Sequence, residues 1–248
     1  MKERPILFSG PMVRAILDGR KTQTRRVVSN ATSQGNYRAS DLLLDDSRTF
    51  ADGGPSPIGN PGPYLHAHVN APEIERRHGW EPGGCDPEIV ERLYPRHFPG
   101  DRLWVRESFR CTGKHESDGF PVYFRADATG IEDAIQRCGW RPSIHMPRWA
   151  SRITLEVTGV RVERVTDITN GDAFAEGCKR EPCSTCDELG EDEHGNPCDD
   201  CFSEGWFSER DQYRLLWNSL NAKRGYGWDV NPWVFVIEFK RLTNGETP

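Results

Sequence analysis

The alternation of apolar and polar residues along this chain predicts a fold built mainly from β-strands. Residues 153–165 give the longest strand pattern, with Ile153 and Leu155 on the same face. Gly159 interrupts this pattern and predicts a bulge, which bends a strand. Residues 233–239 are apolar on both faces, which is typical of a strand inside a sheet. Shorter strands are predicted at residues 64–69, 103–107 and 121–124. Residues 5–8 are expected to form a strand or a packed arm, and residues 27–28 to complete the first long strand.

Apolar residues at helical spacing predict four short helices that flank the strands. In the first, Met12 and Ile16 form an apolar stripe after Pro11, and Gly19 follows where a helix can end in a left-handed residue. The second helix is predicted from residue 86 and carries the apolar residues Ile89, Val90 and Leu93. The third is predicted to begin after a cap at Thr169 or Asn170, and the fourth after a capping box of Ser208 and Asp211.

The charge of the chain is distributed unevenly. The 248 residues carry a net charge of −6, which argues against a general nucleic-acid binder. However, residues 181–204 hold nine acidic side chains and no Lys or Arg, whereas residues 1–28 hold seven basic and two acidic side chains. An anionic ligand could therefore bind locally near the N-terminal segment.

The hydropathy of the chain predicts a cytosolic protein. No run approaches the roughly 18 apolar residues of a membrane span, and no apolar signal-peptide core follows residues 1–5. We therefore expect reduced or metal-bound cysteines rather than disulfides. Residues 29–63 are rich in Ser, Asn, Gly, Pro and Asp, which indicates a loop-rich insertion.

Two Cys-x-x-Cys pairs carry the most specific chemical signal of the chain. The four cysteines suit a tetrahedral, structural Zn²⁺, and the polar segment around them could fold only with the metal. An iron–sulfur cluster is the alternative metal centre, and Cys178 and His194 are fallback ligands. A second metal site at His66, His68, His78 and Cys85 is a weaker hypothesis. The predicted zinc ligands are Cys183, Cys186, Cys198 and Cys201.

The segment after Gly19 concentrates hydroxyl, amine and guanidinium groups within a few residues. Thr22 and Thr24 supply hydroxyls, and the basic side chains are those of Lys21, Arg25 and Arg26. A solvated basic strand edge is the ordinary explanation of such a run. A catalytic or anion-binding site is the alternative, because an amine base can activate a nearby hydroxyl.

Five stretches of the chain resemble the ASCH domain, which has a PUA-like β-barrel fold. Residues 19–26 are similar to the family's Gly-x-Lys-x-x-x-x-Arg motif, and the order of the matches suits the larger phage and prophage members. This likeness implies a bacterial or phage-infected host cell. The resemblance implies a single domain over residues 1–248, mainly β with flanking helices. Its two insertions would be a loop-rich one at about 29–98 and the zinc knuckle at about 179–207. The other matching stretches are residues 100–107, 147–152, 172–177 and 233–239.

The resemblance also implies an enzymatic activity. Some small ASCH proteins are amidohydrolases that remove acyl groups from N4-acylated cytosine nucleosides, and their site residues correspond to Lys21, Thr24 and Glu176. Thr24 would supply a nucleophilic hydroxyl, Lys21 would accept its proton, and Glu176 would orient Lys21 or protonate the leaving amine. Arg26 or backbone N–H groups would stabilise the oxyanion. Lys21 and Thr24 would face opposite ways on a regular strand, so this hypothesis requires a turn or bulge near Lys21.

Two other functions fit the same sequence. PUA-like barrels commonly bind RNA, so a non-catalytic RNA- or nucleotide-binding module, or a ribonuclease, is the alternative. A phage-derived accessory or assembly protein, which binds a protein partner through the acidic zinc knuckle, is the third hypothesis. In the RNA-binding alternative, phosphates would be bound by Lys21, Arg25, Arg26 and Arg106, and a base would stack on Trp104 or Trp149.

Overall fold

A computed structural model describes most of the chain. The described residues are 2–28, 95–110, 121–128, 139–183, 185–191, 195–198 and 204–242, together with the backbone of residues 42–44, 65–69 and 90–93. The helices are α1 (Gly10–Leu17), α2 (Asn170–Ala175) and α3 (Glu209–Asn221). The strands are β1 (Glu3–Leu7), β2 (Gln23–Val27), β3 (Leu42–Leu44), β4 (Leu65–Val69), β5 (Val90–Leu93), β6 (Arg102–Arg106), β7 (Phe109–Arg110), β8 (Tyr123–Phe124), β9 (Thr154–Arg164), β10 (Glu181–Pro182), β11 (Trp206–Phe207) and β12 (Trp233–Arg241).

A five-stranded mixed sheet forms the centre of the molecule. Its strand order is β1-β6-β9-β12-β2. β1 runs parallel to β6, and the other neighbours are antiparallel. β12 lies between β9 and β2, as its two apolar faces predict. This mixed sheet with a few helices agrees with the predicted mainly-β class.

The two faces of the main sheet are buried in different cores. Residues in or next to α1, β1, β6, β9 and β12 form the first core together with Ala126: Ile6, Phe8, Val13, Ile16, Leu103, Val105, Ala126, Ile153, Leu155, Val157, Ile237 and Phe239. Residues around α2 and α3 form the second core with the opposite face of β12: Val165, Ile168, Ala173, Tyr213, Trp217, Trp228, Val234 and Val236. Burial of apolar area on both faces explains why β12 has no polar alternation over most of its length.

The predicted bulge lies in β9. Glu238 pairs with Gly159 and Phe239 pairs with Val157, so Thr158 is the extra residue. A Cβ on Gly159 would lie 2.7 Å from Oε2 of Glu238. Glycine therefore leaves room for the side chain of Glu238 beside the bulge.

The described strands do not close into a barrel. β1 and β2 occupy the two edges of the main sheet and are not hydrogen-bonded to each other in this part of the chain. The guanidinium of Arg26 donates a hydrogen bond across this opening, from Nη2 to the carbonyl oxygen of Leu7 at 3.3 Å. We call the space between these edge strands the β1/β2 gap.

The helix predicted from residue 86 is wrong at its C-terminal part. Residues 90–93 form β5, which pairs antiparallel with β4, and β4 pairs with β3. The apolar residues Val90 and Leu93 suit one helix face, but pairing with a strand more than twenty positions away in the chain determines their backbone conformation. Part of the segment expected to be loop-rich is thus a three-stranded antiparallel sheet.

Local capping signals agree with the described helices. Thr169 and Asp172 form a capping box at the start of α2, and Ser208 and Asp211 form one at the start of α3. Gly19 has a φ of +76° just past α1. None of the helices in the described ranges has both the length and the apolar composition of a membrane span.

Candidate active site

Lys21 lies in the short link between α1 and β2, and backbone hydrogen bonds fix this link on both sides. Gly19 turns the chain after α1 in a left-handed conformation. The amide of Lys21 donates to the carbonyl of Ala15 at 3.0 Å, and the amide of Thr22 donates to the carbonyl of Ala175 at 2.9 Å. The link is therefore held between α1 and the C-terminal end of α2.

Glu176 follows α2, and the next residue allows α2 to pack closely against α1. The amide of Glu176 donates to the carbonyl of Asp172 at 2.8 Å, which continues the helical hydrogen bonding. Gly177 then has a φ of +99°. A Cβ at this position would lie 3.0 Å from Cβ of Ala15 and 3.5 Å from Cβ of Lys21. Glycine meets both the conformational and the steric requirement.

The ammonium of Lys21 is surrounded by three acceptors in the protein interior. Nζ donates to Oε2 of Glu176 at 2.9 Å, to the backbone carbonyl of Glu176 at 2.7 Å and to the carbonyl of Gln23 at 2.9 Å. Lys21 is 2% exposed and Glu176 is 3% exposed. Burial lowers the pKa of Lys21, and the Glu176 carboxylate opposes this shift. A buried lysine with a perturbed pKa and one carboxylate partner is a candidate functional pair.

Arg25 extends this pair into a larger network of charged side chains. Its guanidinium is buried and lies 3.3 Å from Glu176, 2.8 Å from Glu163 and 3.7 Å from Asp172. Arg161 contacts Glu163, Asp172 and Glu238. The predicted phosphate contact of Arg25 is therefore not supported by this arrangement, because three carboxylates already occupy its guanidinium. Arg25 instead holds Glu176 in place.

The pKa of Asp172 reflects its position in the same network. Burial opposes ionisation, but hydrogen bonds from the side chains of Gln23 and Thr169, with the charges of Arg25 and Arg161, lower the pKa of this carboxyl. Amide Nε2 of Gln23 lies 3.0 Å from Oδ1 of Asp172. The first residues of β2 are thus tied to α2 by polar side chains.

Thr24 is buried but points to the other face of the main sheet from Arg25. Thr24 pairs with Ile237, which belongs to the first core, whereas Arg25 pairs with Val236, which belongs to the second core. Paired residues of antiparallel strands lie on the same face. The described contacts include no hydrogen bond from the Thr24 hydroxyl to Lys21 or to any carboxylate.

The turn that the catalytic hypothesis required near Lys21 is present. β2 begins at Gln23, so Lys21 lies before the strand. Its side chain folds back until Nζ contacts the carbonyl of Gln23, which belongs to the peptide group that leads into Thr24. Two of the predicted catalytic residues, Lys21 and Glu176, are therefore in direct contact, whereas no contact among the described residues joins the Thr24 side chain to either of them.

Arg26 lies next to the pair and is exposed. The ring of Phe8 connects the two cations, because Nζ of Lys21 lies 5.4 Å and Cζ of Arg26 lies 5.8 Å from its centroid. The positive charge of Arg26 also contributes to the lowered pKa of Lys21. Among the predicted ligand-binding residues, Arg26 has the best position to meet a ligand beside Lys21.

Among the described residues, no contact joins the side chains of Trp104, Arg106 or Trp149 to Lys21 or Glu176. The guanidiniums of Arg106 and Arg148 lie 4.6 Å and 5.9 Å from the ring centroid of Trp104, which is 8% exposed. Trp149 packs against a small cluster that contains Phe109. The ring of Trp104 would stack on a base only after an arginine moved away. The predicted stacking roles of the two tryptophans therefore gain no support from these contacts.

Three of the four predicted zinc ligands form a buried cluster. The sulfur atoms of Cys183, Cys186 and Cys198 all lie within 4.8 Å of one another, close enough to bind one metal ion. Burial opposes ionisation of the Cys183 thiol, but amide donors and the neighbouring thiols lower its pKa to about 7. The amide of Gly190 lies 3.3 Å from Sγ of Cys186. Cys201 lies outside the described residues, as do His78, Cys85 and His194 and the side chains of His66 and His68.

Sequence reasoning missed the carboxylates that surround Arg25. Glu163 and Arg161 alternate on β9 in a segment that was interpreted only as a strand, and Asp172 was interpreted only as part of a helix motif. Charged residues at every second position of an interior strand are a usable signal, since an interior face rarely carries charges without partners.

Comparisons with known proteins identify no relative: no family model, curated protein or solved structure matches the chain.

Proposed function

We propose that the protein is a hydrolase that removes acyl groups from the exocyclic nitrogen of N4-acylated cytosine in a nucleoside or nucleotide. The observation that supports this most is the buried contact between Lys21 and Glu176, which lie 155 positions apart in the chain. The same proposal includes an ASCH-like PUA fold. Lys21 and Glu176 belong to two of the stretches that resemble this family, residues 19–26 and 172–177. The open main sheet would be the part of that barrel within the described ranges.

The roles proposed for the residues are those that the resemblance implies, and the contact between Lys21 and Glu176 supports the first of them. A proton can pass from Nζ to Oε2 of Glu176 along their 2.9 Å hydrogen bond, and burial favours the neutral pair that results. The neutral amine then accepts the proton of the Thr24 hydroxyl as Oγ1 attacks the acyl carbonyl carbon. The bond from that carbon to the cytosine nitrogen breaks, and the protonated Glu176 supplies the proton for the leaving nitrogen.

A second half-reaction restores the site. Water attacks the acyl ester on Thr24, and its proton passes to the Glu176 carboxylate. The bond between the acyl carbon and Oγ1 breaks, and the Lys21 ammonium returns a proton to the threonine hydroxyl. After the acid leaves, the carboxyl proton of Glu176 returns to Lys21. Lys21 is then an ammonium and Glu176 a carboxylate, as at the start. Arg26, whose guanidinium packs on the same Phe8 ring as Lys21, or backbone N–H groups would stabilise the oxyanion.

Deacylation of N4-acetylcytidine, followed by its ultraviolet absorbance, tests this proposal. We expect turnover by the wild type, retention of part of it in Thr24→Ser, and loss of at least about a hundredfold in Thr24→Val and Lys21→Met. Thr24→Val keeps the shape of the side chain, so a folded but inactive variant isolates the hydroxyl. Absence of turnover in folded wild type with N4-acetylcytidine and with its 5′-monophosphate would overturn the proposal, as would full activity in both variants.

The cysteine cluster is proposed to hold a structural Zn²⁺, with Cys201 as the fourth ligand. Thiolates about 2.3 Å from a tetrahedral zinc lie about 3.8 Å apart, and Sγ of Cys183 lies 3.9 Å from Sγ of Cys198. Four cysteine ligands leave no open coordination position. The metal would therefore fold the segment between β10 and β11 and take no part in the hydrolysis.

Non-catalytic nucleotide binding is the second candidate function. It is favoured by the exposed guanidinium of Arg26, which forms no ion pair within the described ranges. Titration of the protein with a cytidine-containing RNA at several salt concentrations distinguishes it from the hydrolase. Salt-sensitive binding without any turnover of acylated cytidine would favour the binding module.

A further inference from the structure

A chain of alternating charges connects the buried Lys21–Glu176 pair to the protein surface. Glu176 contacts Lys21 through Oε2 at 2.9 Å and Arg25 through Oε1 at 3.3 Å. Arg25 contacts Glu163 through Nη2 at 2.8 Å. Glu163 in turn contacts Arg161 through Oε1, its other carboxylate oxygen. We call these five residues the charge chain, because each of its inner members lies between two groups of the opposite charge.

The exposure of the side chains increases along the charge chain. Those of Lys21 and Arg25 are completely buried, and that of Glu176 is 3% exposed. The side chain of Glu163 is 22% exposed and that of Arg161 is 33% exposed. One end of the charge chain is therefore at the proposed reaction site, and the other end meets solvent. A charge at the outer end acts on the buried end with little screening, because the path between them lies inside the protein.

The main sheet fixes the positions of the three outer members of the charge chain. Val236 of β12 pairs with Arg25 of β2 on one side and with Arg161 of β9 on the other. Val234, two positions earlier in β12, pairs with Glu163. Paired residues of antiparallel strands share a face, so all three charged side chains lie on the face that carries the second core. The sheet thus places the Glu163 carboxylate between two guanidiniums.

Arg25 divides its guanidinium between two carboxylates, and Glu163 holds the shorter of the two contacts. Nη2 lies 2.8 Å from Glu163, whereas Nη1 lies 3.3 Å from Glu176. Asp172, the other carboxylate near Nη2, lies 3.7 Å from it. A guanidinium can instead bind both oxygens of one carboxylate with two parallel hydrogen bonds. If Arg25 bound Glu176 in this way, it would compete with Lys21 for Oε2, and Glu163 opposes this because it occupies Nη2.

Several further groups act on the protonation of Lys21 and on the charge chain. Burial lowers the pKa of Lys21, the Glu176 carboxylate opposes this effect, and the charge of Arg26 adds to it. Other charged or titratable groups face the charge chain from α2, the turn after α2, α3 and β12: Asp172, Cys178, Tyr213 and Glu238. All of these groups stay in place when Glu163 or Arg161 alone is replaced, so a change in the titration of Lys21 then reports the charge chain itself.

We propose that Glu163 is a positioning residue for the proposed hydrolysis: it holds the Arg25 guanidinium so that Oε2 of Glu176 stays free to take the proton of Lys21. This inference rests on the proposed function and adds a residue that touches no reacting atom. Without the Glu163 carboxylate, Arg25 would bind both oxygens of Glu176, and a negative charge would be missing. Both effects withdraw support from the Lys21 ammonium.

Steady-state deacylation of N4-acetylcytidine tests the role of Glu163 in catalysis. We expect Glu163→Gln to lower kcat at least about fivefold and to leave KM within about twofold, because the residue does not touch the substrate. Glu163→Asp keeps the charge and should recover part of the loss. Glu156→Gln is the matched control, since Glu156 also lies on β9 and is paired with a cation, Lys240, at 3.5 Å. The control should keep the kcat of the wild type.

A nuclear magnetic resonance titration of Lys21 tests the charge chain without any turnover. In protein labelled with ¹³C at Cε of lysine, the Lys21 signal is assigned by its absence from Lys21→Met. Compared with the wild type, we expect this signal to titrate at lower pH in Glu163→Gln and at higher pH in Arg161→Gln, since the two substitutions remove opposite charges. Glu156→Gln should titrate like the wild type. Circular dichroism confirms that each variant is folded, and Arg161→Gln alone decides the direction if Glu163→Gln does not fold.

The two measurements separate this inference from the proposed hydrolase. Opposite shifts of the Lys21 titration, without deacylation by the wild type, would keep the action of Glu163 on Lys21 and remove the hydrolase. Deacylation with an unchanged kcat in Glu163→Gln, together with a Lys21 titration that moves in neither variant, would keep the hydrolase and overturn the role of Glu163. Shifts in the same direction in both variants would also overturn it, because a general loosening of the structure would then be the cause.

Discussion

The ammonium of Lys21 lies 2.9 Å from the carboxylate of Glu176, inside the protein, although 155 positions separate the two residues in the chain. The same carboxylate receives Nη1 of Arg25 at 3.3 Å. Glu176 is therefore the single acid between two buried cations, and its charge supports both of them. This asymmetry leads to different expectations for the removal of each partner.

Loss of the shared carboxylate should destabilise the protein more than loss of one cation. Glu176→Ala leaves Lys21 and Arg25 buried without their common partner, and we expect the free energy of unfolding to fall by about 3–5 kcal/mol. Lys21→Met keeps Glu176 paired with Arg25 and should cost clearly less. Urea denaturation followed by tryptophan fluorescence measures both. Equal losses for the two variants would contradict the central role of Glu176.

The glycine that follows Glu176 should be intolerant of substitution. Gly177→Ala adds a Cβ at a φ of +99° and 3.0 Å from Ala15, so we expect a loss of about 1–3 kcal/mol in the free energy of unfolding. Gly171→Ala in α2 is the matched control, since its nearest neighbour would be 3.8 Å away. The control should be neutral, or stabilising by up to about 1 kcal/mol. Similar melting temperatures for both variants would show that the close packing at Gly177 is not required.

Metal content should depend on the cysteine cluster and not on the nearby Cys178. We expect purified wild type to contain a single zinc, and Cys198→Ser to lose it, because Cys198 is one of the three clustered thiols. Cys178 packs against the second core, so Cys178→Ser should keep the zinc. Elemental analysis of the two variants decides this. Zinc in Cys198→Ser, or the visible absorbance of an iron–sulfur cluster in wild type, would contradict the assignment.

The stability of the protein should fall in mild acid because of His97. Burial lowers its pKa to about 4 in the folded protein, below the ordinary histidine value of about 6.5, so the unfolded chain binds more protons between these two pH values. The free energy of unfolding should therefore decrease as the pH falls from 6.5 to 4, by about 1–2 kcal/mol after allowance for partial solvent exposure.

Removal of the imidazole isolates this contribution. Between pH 6.5 and 4, the free energy of unfolding of His97→Asn should decrease by less than that of the wild type. Urea denaturation at several pH values in this range measures both proteins. His145→Asn, which removes an exposed imidazole, is the matched control and should follow the wild type. Parallel pH profiles of wild type and His97→Asn would show that protonation of His97 does not contribute to the loss of stability in acid.

Local signals in the sequence predicted the elements that depend on local interactions. The end of α1 at Gly19, the capping box before α3 and the bulge at Gly159 each depend on a few adjacent residues. The helix predicted over Val90 was wrong there because pairing with β4, distant in the chain, determines its conformation. Secondary structure that arises from long-range pairing is not visible in local spacing.

In the candidate site, too, the contacts between residues distant in the chain could not be predicted from local patterns. Lys21 and Glu176 were predicted together only because a family resemblance connects two distant motifs. The carboxylates around Arg25 come from β9 and α2, 138 and 147 positions away in the chain, and no local pattern connects them to it. For this reason Arg25 was predicted to be a ligand-binding residue, although its guanidinium is fully buried. Sequence gives the type of a charged residue, but its partners follow from the tertiary fold.

The position of β12 in both cores has a consequence for the synthesis of the protein. Ile237 and Phe239 complete the first core, and Val234 and Val236 complete the second. While the ribosome is adding the residues before 233, the growing chain carries two incomplete apolar faces, and neither can be closed by folding one half of the molecule early. The emergence of this one strand completes both cores, so folding during translation must wait for it, and a chain cut short before β12 would be a substrate for chaperones and proteases.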